Sequence, residues 1–124
     1  MMEKVLVVDD NRSSRELIRA ILKTVHCTII EASHGQEALD LVKQERPSLV
    51  LLDIDMPGLS GLTVVKKIRE ETSLADLPVV AVTAFAMERD RERAMAAGFT
   101  AYVTKPVRAA SLRQQVRELL STRA

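Results

Sequence analysis

LVLLDIDMPG, residues 49–58, runs four aliphatic residues directly into Asp53, adds Asp55 two positions later and stops at Pro57-Gly58. A continuous aliphatic run of strand length reads as a strand covered on both faces, the pattern of a parallel sheet with helices on either side. The same texture appears in KVLVVD (4–9) and PVVAVT (78–83), with further strands read at CTIIEA (27–32) and AYVTK (101–105). Helical patterns lie between them, at 11–24, 34–45, 60–71, 87–97 and 109–122. The first carries Leu17, Ile18, Ile21, Leu22 and Val25 at helical spacing, the last Leu112, Val116, Leu119 and Leu120. Gly35, Gly61 and Gly98 punctuate element ends, and Pro47, Pro78 and Pro106 mark boundaries. Five βα units predict an open, doubly wound α/β domain. What remains odd is the aspartate, because a carboxylate is costly to bury unless it is paired or metal-bound.

The chain around this stretch is ordinary. Its 124 residues suit one domain (1–124) with a real core. Aromatic residues make up only 2%, so aliphatic side chains and alanine must fill the interior. Eighteen basic residues against 17 acidic leave a net charge of +1, which gives no bias toward nucleic acid or a membrane surface. No apolar run approaches membrane-spanning length and no signal peptide is visible, so a cytoplasmic protein is expected. The lone Cys27 has no internal disulfide partner and reads as a buried, inert thiol.

In a doubly wound sheet, ligands bind outside the carboxyl ends of the strands. The unusual polar residues all fall there: Asp9-Asp10 after the first strand, Asp53 after the third, Thr83 after the fourth and Lys105 after the fifth. If the first and third strands are neighbours, three carboxylates converge. Two of them about 4 Å apart repel by about 4 kcal/mol at an effective dielectric near 20, so a cation must join them. Mg²⁺ suits the set, since it takes one or two carboxylates and completes its shell with water and phosphate oxygens. Lys105 adds a fixed positive charge and Thr83 a hydroxyl, and the group can bind a phosphoryl group with Asp53 as nucleophile.

VLVVDDN (5–11), LLDIDMPG (51–58), VVAVTAFAM (79–87) and AYVTKPV (101–107) resemble, in order and separation, the receiver domain of two-component response regulators. The VTAFAM block resembles single-domain regulators of the DivK type. The resemblance implies a flavodoxin-like sheet of order 2-1-3-4-5 in a three-layer sandwich, which agrees with pairing the first strand to the third. It implies Asp53 as the phosphoacceptor, Asp9 and Asp10 as the acidic Mg²⁺ site, and Asp55 as a metal ligand through its backbone carbonyl, its carboxylate facing solvent without a role. Thr83 and Tyr102 are implied as the switch pair, Lys105 as the phosphate partner, and the bond before Pro106 as cis. The implied donor is a histidine kinase or histidine phosphotransferase. The implied output is a protein target docked on helix 4, strand 5 and helix 5.

Single residues carry blander readings. Asp53 alone reads as a helix cap, Lys105 as a surface lysine and Thr83 as a strand former; their shared edge promotes them together. Asp10 or Asn11 is expected to cap the first helix. His26 and His34 lack ligand spacing and read as surface residues. MERDRERAMAAG (87–98) mixes both charges and reads as a solvated helix face or a partner surface. No helix-turn-helix follows residue 122, which argues against DNA binding. LLDIDMPG also resembles the nucleophile motif of haloacid-dehalogenase-type phosphatases, in which the second aspartate is the acid/base; that motif opens the first strand, however, and here it sits on the third. A receiver domain excised from a hybrid histidine kinase is the other alternative.

Overall fold

The computed structural model describes residues 2–121. In chain order it contains β1 (Glu3–Val8), α1 (Arg12–Ile21), β2 (Cys27–Ala32), α2 (Gly35–Glu45), β3 (Leu49–Asp53), α3 (Gly61–Glu70), β4 (Val79–Thr83), α4 (Glu88–Ala97), β5 (Ala101–Thr104) and α5 (Ala109–Ser121). The strands form one parallel sheet of order β2-β1-β3-β4-β5, the flavodoxin-like arrangement. The first helix is shorter than its periodicity predicts: it closes at Ile21, and Leu22–Thr24 tighten into a 3-10 turn.

The aliphatic strands divide by parity. Leu6 and Val8, Val50 and Leu52, and Val79 and Ala81 enter one core with Ala38 and Val42 of α2, Val64 and Ile68 of α3 and Ala94 of α4. Val5 and Val7, Leu49 and Leu51, and Val80 and Val82 enter a second core with Ile18 and Ile21 of α1 and Leu112 and Val116 of α5. A period of two thus makes three layers from strands that read as uniformly apolar. Leu17 is the exception among the expected core residues of α1: it is 52% exposed, because its helical position turns away from the sheet. Cys27 is half-buried rather than buried, since β2 is the edge strand, and burial still pushes its thiol up.

Helix starts are built locally. The Asn11 side chain caps α1 by accepting from the Ser14 N–H at 3.1 Å, and Ser60 caps α3 through the Thr63 N–H. His34, expected only as a surface residue, caps α2: its Nδ1 accepts from the Glu37 N–H at 3.2 Å. Gly61 opens α3 because of a close approach. A Cβ there would stand 2.6 Å from the Asp53 carbonyl oxygen and 2.7 Å from the Ile54 Cα, so only glycine lets α3 begin against the end of β3.

Candidate functional site

Register brings the acids together. Val8 pairs with Leu52, so Asp9 follows β1 just where Asp53 ends β3. Asp9 is 1% exposed and Asp53 4%, while Asp10 is exposed at the rim. Carboxylate oxygens of Asp9, Asp10 and Asp53 all lie within 4.8 Å of one another. Each buried acid has a job for both oxygens. Asp9 Oδ1 accepts from the Asn11 N–H at 2.9 Å, and Asp53 Oδ1 from the Asp55 N–H at 3.0 Å. Their Oδ2 atoms face the Lys105 ammonium, at 3.1 Å from Asp9 and 3.6 Å from Asp53. Asp53 therefore caps no helix; α3 begins only at Gly61.

Lys105 is placed at this edge by its N–H, which donates to the Thr83 carbonyl at 2.7 Å and continues the ladder one residue beyond β5; the bond to Pro106 is cis, as the resemblance implied. Burial pushes the Asp53 carboxyl up and the Asp9 charge adds to the rise, against the Asp55 N–H and the Lys105 ammonium. Burial alone would push the Lys105 ammonium down; the Asp9 hydrogen bond and the Asp53 charge outweigh it and the net direction is up. The site is acidic and short of positive charge.

Thr83 is fully buried and sits on the other side of the sheet edge. Its hydroxyl donates to Asp55 Oδ2 at 2.9 Å and accepts from the Phe85 N–H at 3.2 Å. The Asp55 residue is exposed, as expected, yet its carboxylate is engaged rather than idle: in this state it holds the Thr83 hydroxyl. Sequence reasoning missed this contact because the two residues are 28 positions apart and come together only through the β3–β4 pairing. Tyr102 is half-buried, and its hydroxyl donates to the Phe85 carbonyl at 2.5 Å. Thr83 and Tyr102 thus grip the two ends of one residue, Phe85, which is 54% exposed. Beside them a cleft of about 310 Å³ opens between the β3–α3 connection and α4, lined by Met56, Ser60, Leu62, Phe85, Arg93 and Tyr102.

The α4 surface is charge-dense, with Ala94 its buried residue, and the Arg91 guanidinium lies 5.9 Å above the Tyr102 ring. No helix among the described residues is long and apolar enough to cross a membrane.

Known proteins resemble this chain in sequence and in fold. The chain is 41% identical over 107 residues to the polar-differentiation response regulator DivK of Brucella anthropi, an alignment covering 86% of this chain and 87% of that protein. DivK of Brucella ovis is 40% identical over the same length and shares. In structure the chain is similar to a putative response regulator from Chloroflexus aurantiacus, with a TM-score of 0.92 and 26% identity over 98% of this chain and 99% of that one. Chemotaxis protein CheY4 of Vibrio cholerae gives a TM-score of 0.89 and 26% identity over 96% and 99%. Residues 5–117 match the model of the response regulator receiver domain. With its sheet order, its acidic pocket and this match over most of its length, the chain belongs to the response regulator receiver domain family, whose role is phosphoacceptor signalling.

Proposed function

We propose that Asp53 is the phosphoacceptor of a two-component phosphorelay, and that residues 1–124 act as one cytoplasmic signalling domain rather than as an enzyme turning over free substrate. The observation that carries this reading is the buried Asp53 carboxylate beside Asp9, Asp10 and the Lys105 ammonium. The donor set is all carboxylate oxygen, which fits a hard divalent cation. Asp9, Asp10 and Asp53, with the backbone carbonyl of Asp55, would hold Mg²⁺. When bound it neutralises charge on the acids and on phosphoryl oxygens.

The chain's own residues account for the rest. A carboxylate oxygen of Asp53 attacks the phosphorus of a phosphohistidine carried by a histidine kinase or phosphotransferase. The new O–P bond forms as the P–N bond breaks, and the imidazole leaves, neutral once its nitrogen is protonated. Lys105, already held between Asp9 and Asp53, pairs with a phosphoryl oxygen. The partner is taken from family membership. The output face is read as α4, β5 and α5, supported by the exposed Phe85 and Met87 at its edge and by Arg91 over Tyr102.

The test is treatment with acetyl phosphate and Mg²⁺ followed by mass spectrometry. One phosphoryl group is expected, on Asp53, removed by hydroxylamine. A hydroxylamine-stable phosphate on Ser60 or Thr63 would sink the reading. Asp55→Asn should still be phosphorylated, because its amide oxygen can still accept from Thr83; a phosphatase using Asp55 as acid would lose its chemistry.

Phosphorylation brings new acceptor oxygens within reach of Thr83. Turning its hydroxyl to them gives up Asp55 and the Phe85 N–H together, loosening the loop that Tyr102 holds by the Phe85 carbonyl. Tyr102 can then move toward the adjoining cleft. Thr83→Ala is expected to accept phosphate but to transmit it poorly. Coupling of this kind typically changes partner affinity about 5- to 150-fold, and the variant should retain less than about threefold. Tyrosine fluorescence reports the motion directly, since Tyr102 is the only tyrosine and there is no tryptophan. Equal phosphorylation-dependent changes in wild type and Thr83→Ala would refute this route.

A further inference from the structure

Asp10 makes no hydrogen bond or ion pair with the other described residues, so its aim into the acidic cluster depends on its backbone. Two side chains hold that backbone: the Asp9 carboxylate, which accepts from the Asn11 N–H, and Arg15. Arg15, in the second turn of α1, donates Nη1 to the Asp9 carbonyl oxygen at 2.8 Å, the oxygen of the Asp9–Asp10 peptide itself. The same guanidinium donates Nε to Glu31 Oε1 at 3.0 Å. Glu31 stands on β2 opposite Val7 and spends its other oxygen on Arg19, one helical turn on, at 2.9 Å from Nε and 2.7 Å from Nη2. The Arg15 side chain is only 16% exposed against 51% for Arg19. The fork is rigid and planar, so a carboxylate fixed on the sheet edge sets the angle at which Arg15 meets the peptide.

We propose that Arg15 is a positioning residue for the divalent-cation site, anchored by Glu31 and acting through the Asp9–Asp10 peptide to aim the Asp10 carboxylate. This rests on the reading of Asp9, Asp10 and Asp53 as the cation ligands. Arg19 shares the anchor but makes no hydrogen bond to the β1–α1 loop among the described residues, which makes it the natural control.

The sign of the effect separates positioning from charge. Removing a cation from the neighbourhood of an acidic site should strengthen Mg²⁺ binding if Arg15 acted only through its field. Removing a clamp should weaken it. Mg²⁺ also demands near-ideal geometry where Ca²⁺ tolerates a loose shell, so a slackened loop should lose Mg²⁺ affinity more than Ca²⁺ affinity.

The experiment is calorimetric titration of the intact chain with Mg²⁺ alone and with Ca²⁺ alone. Arg15→Met, which keeps the apolar stem, is expected to weaken Mg²⁺ binding about 10-fold, the low end for loss of a group that orients a metal ligand. Its Ca²⁺ affinity should fall less. Arg15→Lys, which can donate to the carbonyl but cannot span both partners with one planar group, should recover part of the loss and serves if Arg15→Met does not fold. Arg19→Met should stay within about twofold of wild type. Unchanged or tighter Mg²⁺ binding in Arg15→Met overturns the proposal, as does an equal loss in Arg15→Met and Arg19→Met, which would make the cluster a simple tie between α1 and β2. Wild type that binds no Mg²⁺ would instead overturn the cation-site reading, and this inference with it.

Discussion

Asp53→Asn is expected to take up no phosphoryl group and, in the presence of a chelator, to melt several degrees above the wild-type protein. The two results share one cause. Asp53 is buried beside Asp9, and burial followed by the Asp9 charge pushes its carboxyl up. A carboxyl raised on folding favours the folded state below its unfolded pKa, near 4, and that contribution is lost as the pH rises through the higher folded value. At neutral pH the wild type therefore carries an ionised group that it would hold more easily unfolded. Asparagine never ionises, and its side-chain oxygen still accepts from the Asp55 N–H, while Lys105 keeps Asp9. A gain of about 1–2 kcal/mol is expected at pH 7.5, roughly 3–8 °C for a domain of this size. The gap should close as the pH falls toward 4, where the wild-type acid is protonated too. Excess Mg²⁺ should reverse the order, because it stabilises in proportion to its affinity for the folded state and the wild type has the extra carboxylate. Calorimetric scans across this pH range, with chelator and then with Mg²⁺, check every part. An asparagine variant that melts no higher in chelator would mean that the acids do not strain the fold, and continued phosphoryl uptake would move the acceptor elsewhere.

Lys105→Met should have the opposite and larger effect on stability. It removes the ammonium lying 3.1 Å from Asp9 and 3.6 Å from Asp53, leaving two buried carboxylates with no cation between them. Breaking a buried pair by deleting one partner costs about 3–5 kcal/mol. Because the Lys105 side chain is 28% exposed and water can reach part of the gap, about 2–3 kcal/mol is expected here. The pH dependence follows from the directions on both partners. Lys105 is raised by Asp9 and Asp53, over the opposing effect of burial, so its contribution is present below the ordinary lysine value and is lost as the pH climbs through the folded one. On the acid side, Asp53 without the ammonium rises further, and protonating it relieves the repulsion. The deficit should therefore be widest near neutrality and shrink toward both pH 4 and pH 11. Urea unfolding at several pH values measures it, and millimolar Mg²⁺ should narrow it by supplying the missing positive charge. A deficit that does not change with pH or Mg²⁺ would assign the loss to packing of the lysine stem.

Much of this site was legible from residue types alone. LVLLD, VLVVD and VVAVT announce strands covered on both faces, and a parallel sheet puts whatever follows each strand at one edge. Asp9, Asp10, Asp53, Thr83 and Lys105 could thus be gathered without coordinates, and the structure brings them to one edge. A cap for the first helix was readable at Asp10 or Asn11 because a cap is local chemistry over three residues, and the structure gives it to Asn11.

What stayed hidden lies across strands. Continuous apolar runs do not say which residues serve which core; pairing with α2, α3 and α4 on one face and α1 and α5 on the other decides it. Leu17 fits the helical stripe and yet faces out, because the sheet covers a narrower arc of α1 than the periodicity allows. Three contacts beside the site depend on long-range pairing: Thr83 to Asp55, Tyr102 to the Phe85 carbonyl, and Arg15 between Glu31 and the Asp9 carbonyl. None has a signature in composition or spacing. The sequence by itself determined which residues make strands and helices and which acids share an edge, since those follow from local periodicity and strand direction. Only the tertiary structure decided which hydroxyl meets which carboxylate and which arginine holds the loop. Such contacts are set by strand register and helix rotation over a few ångströms, and no local rule carries that information.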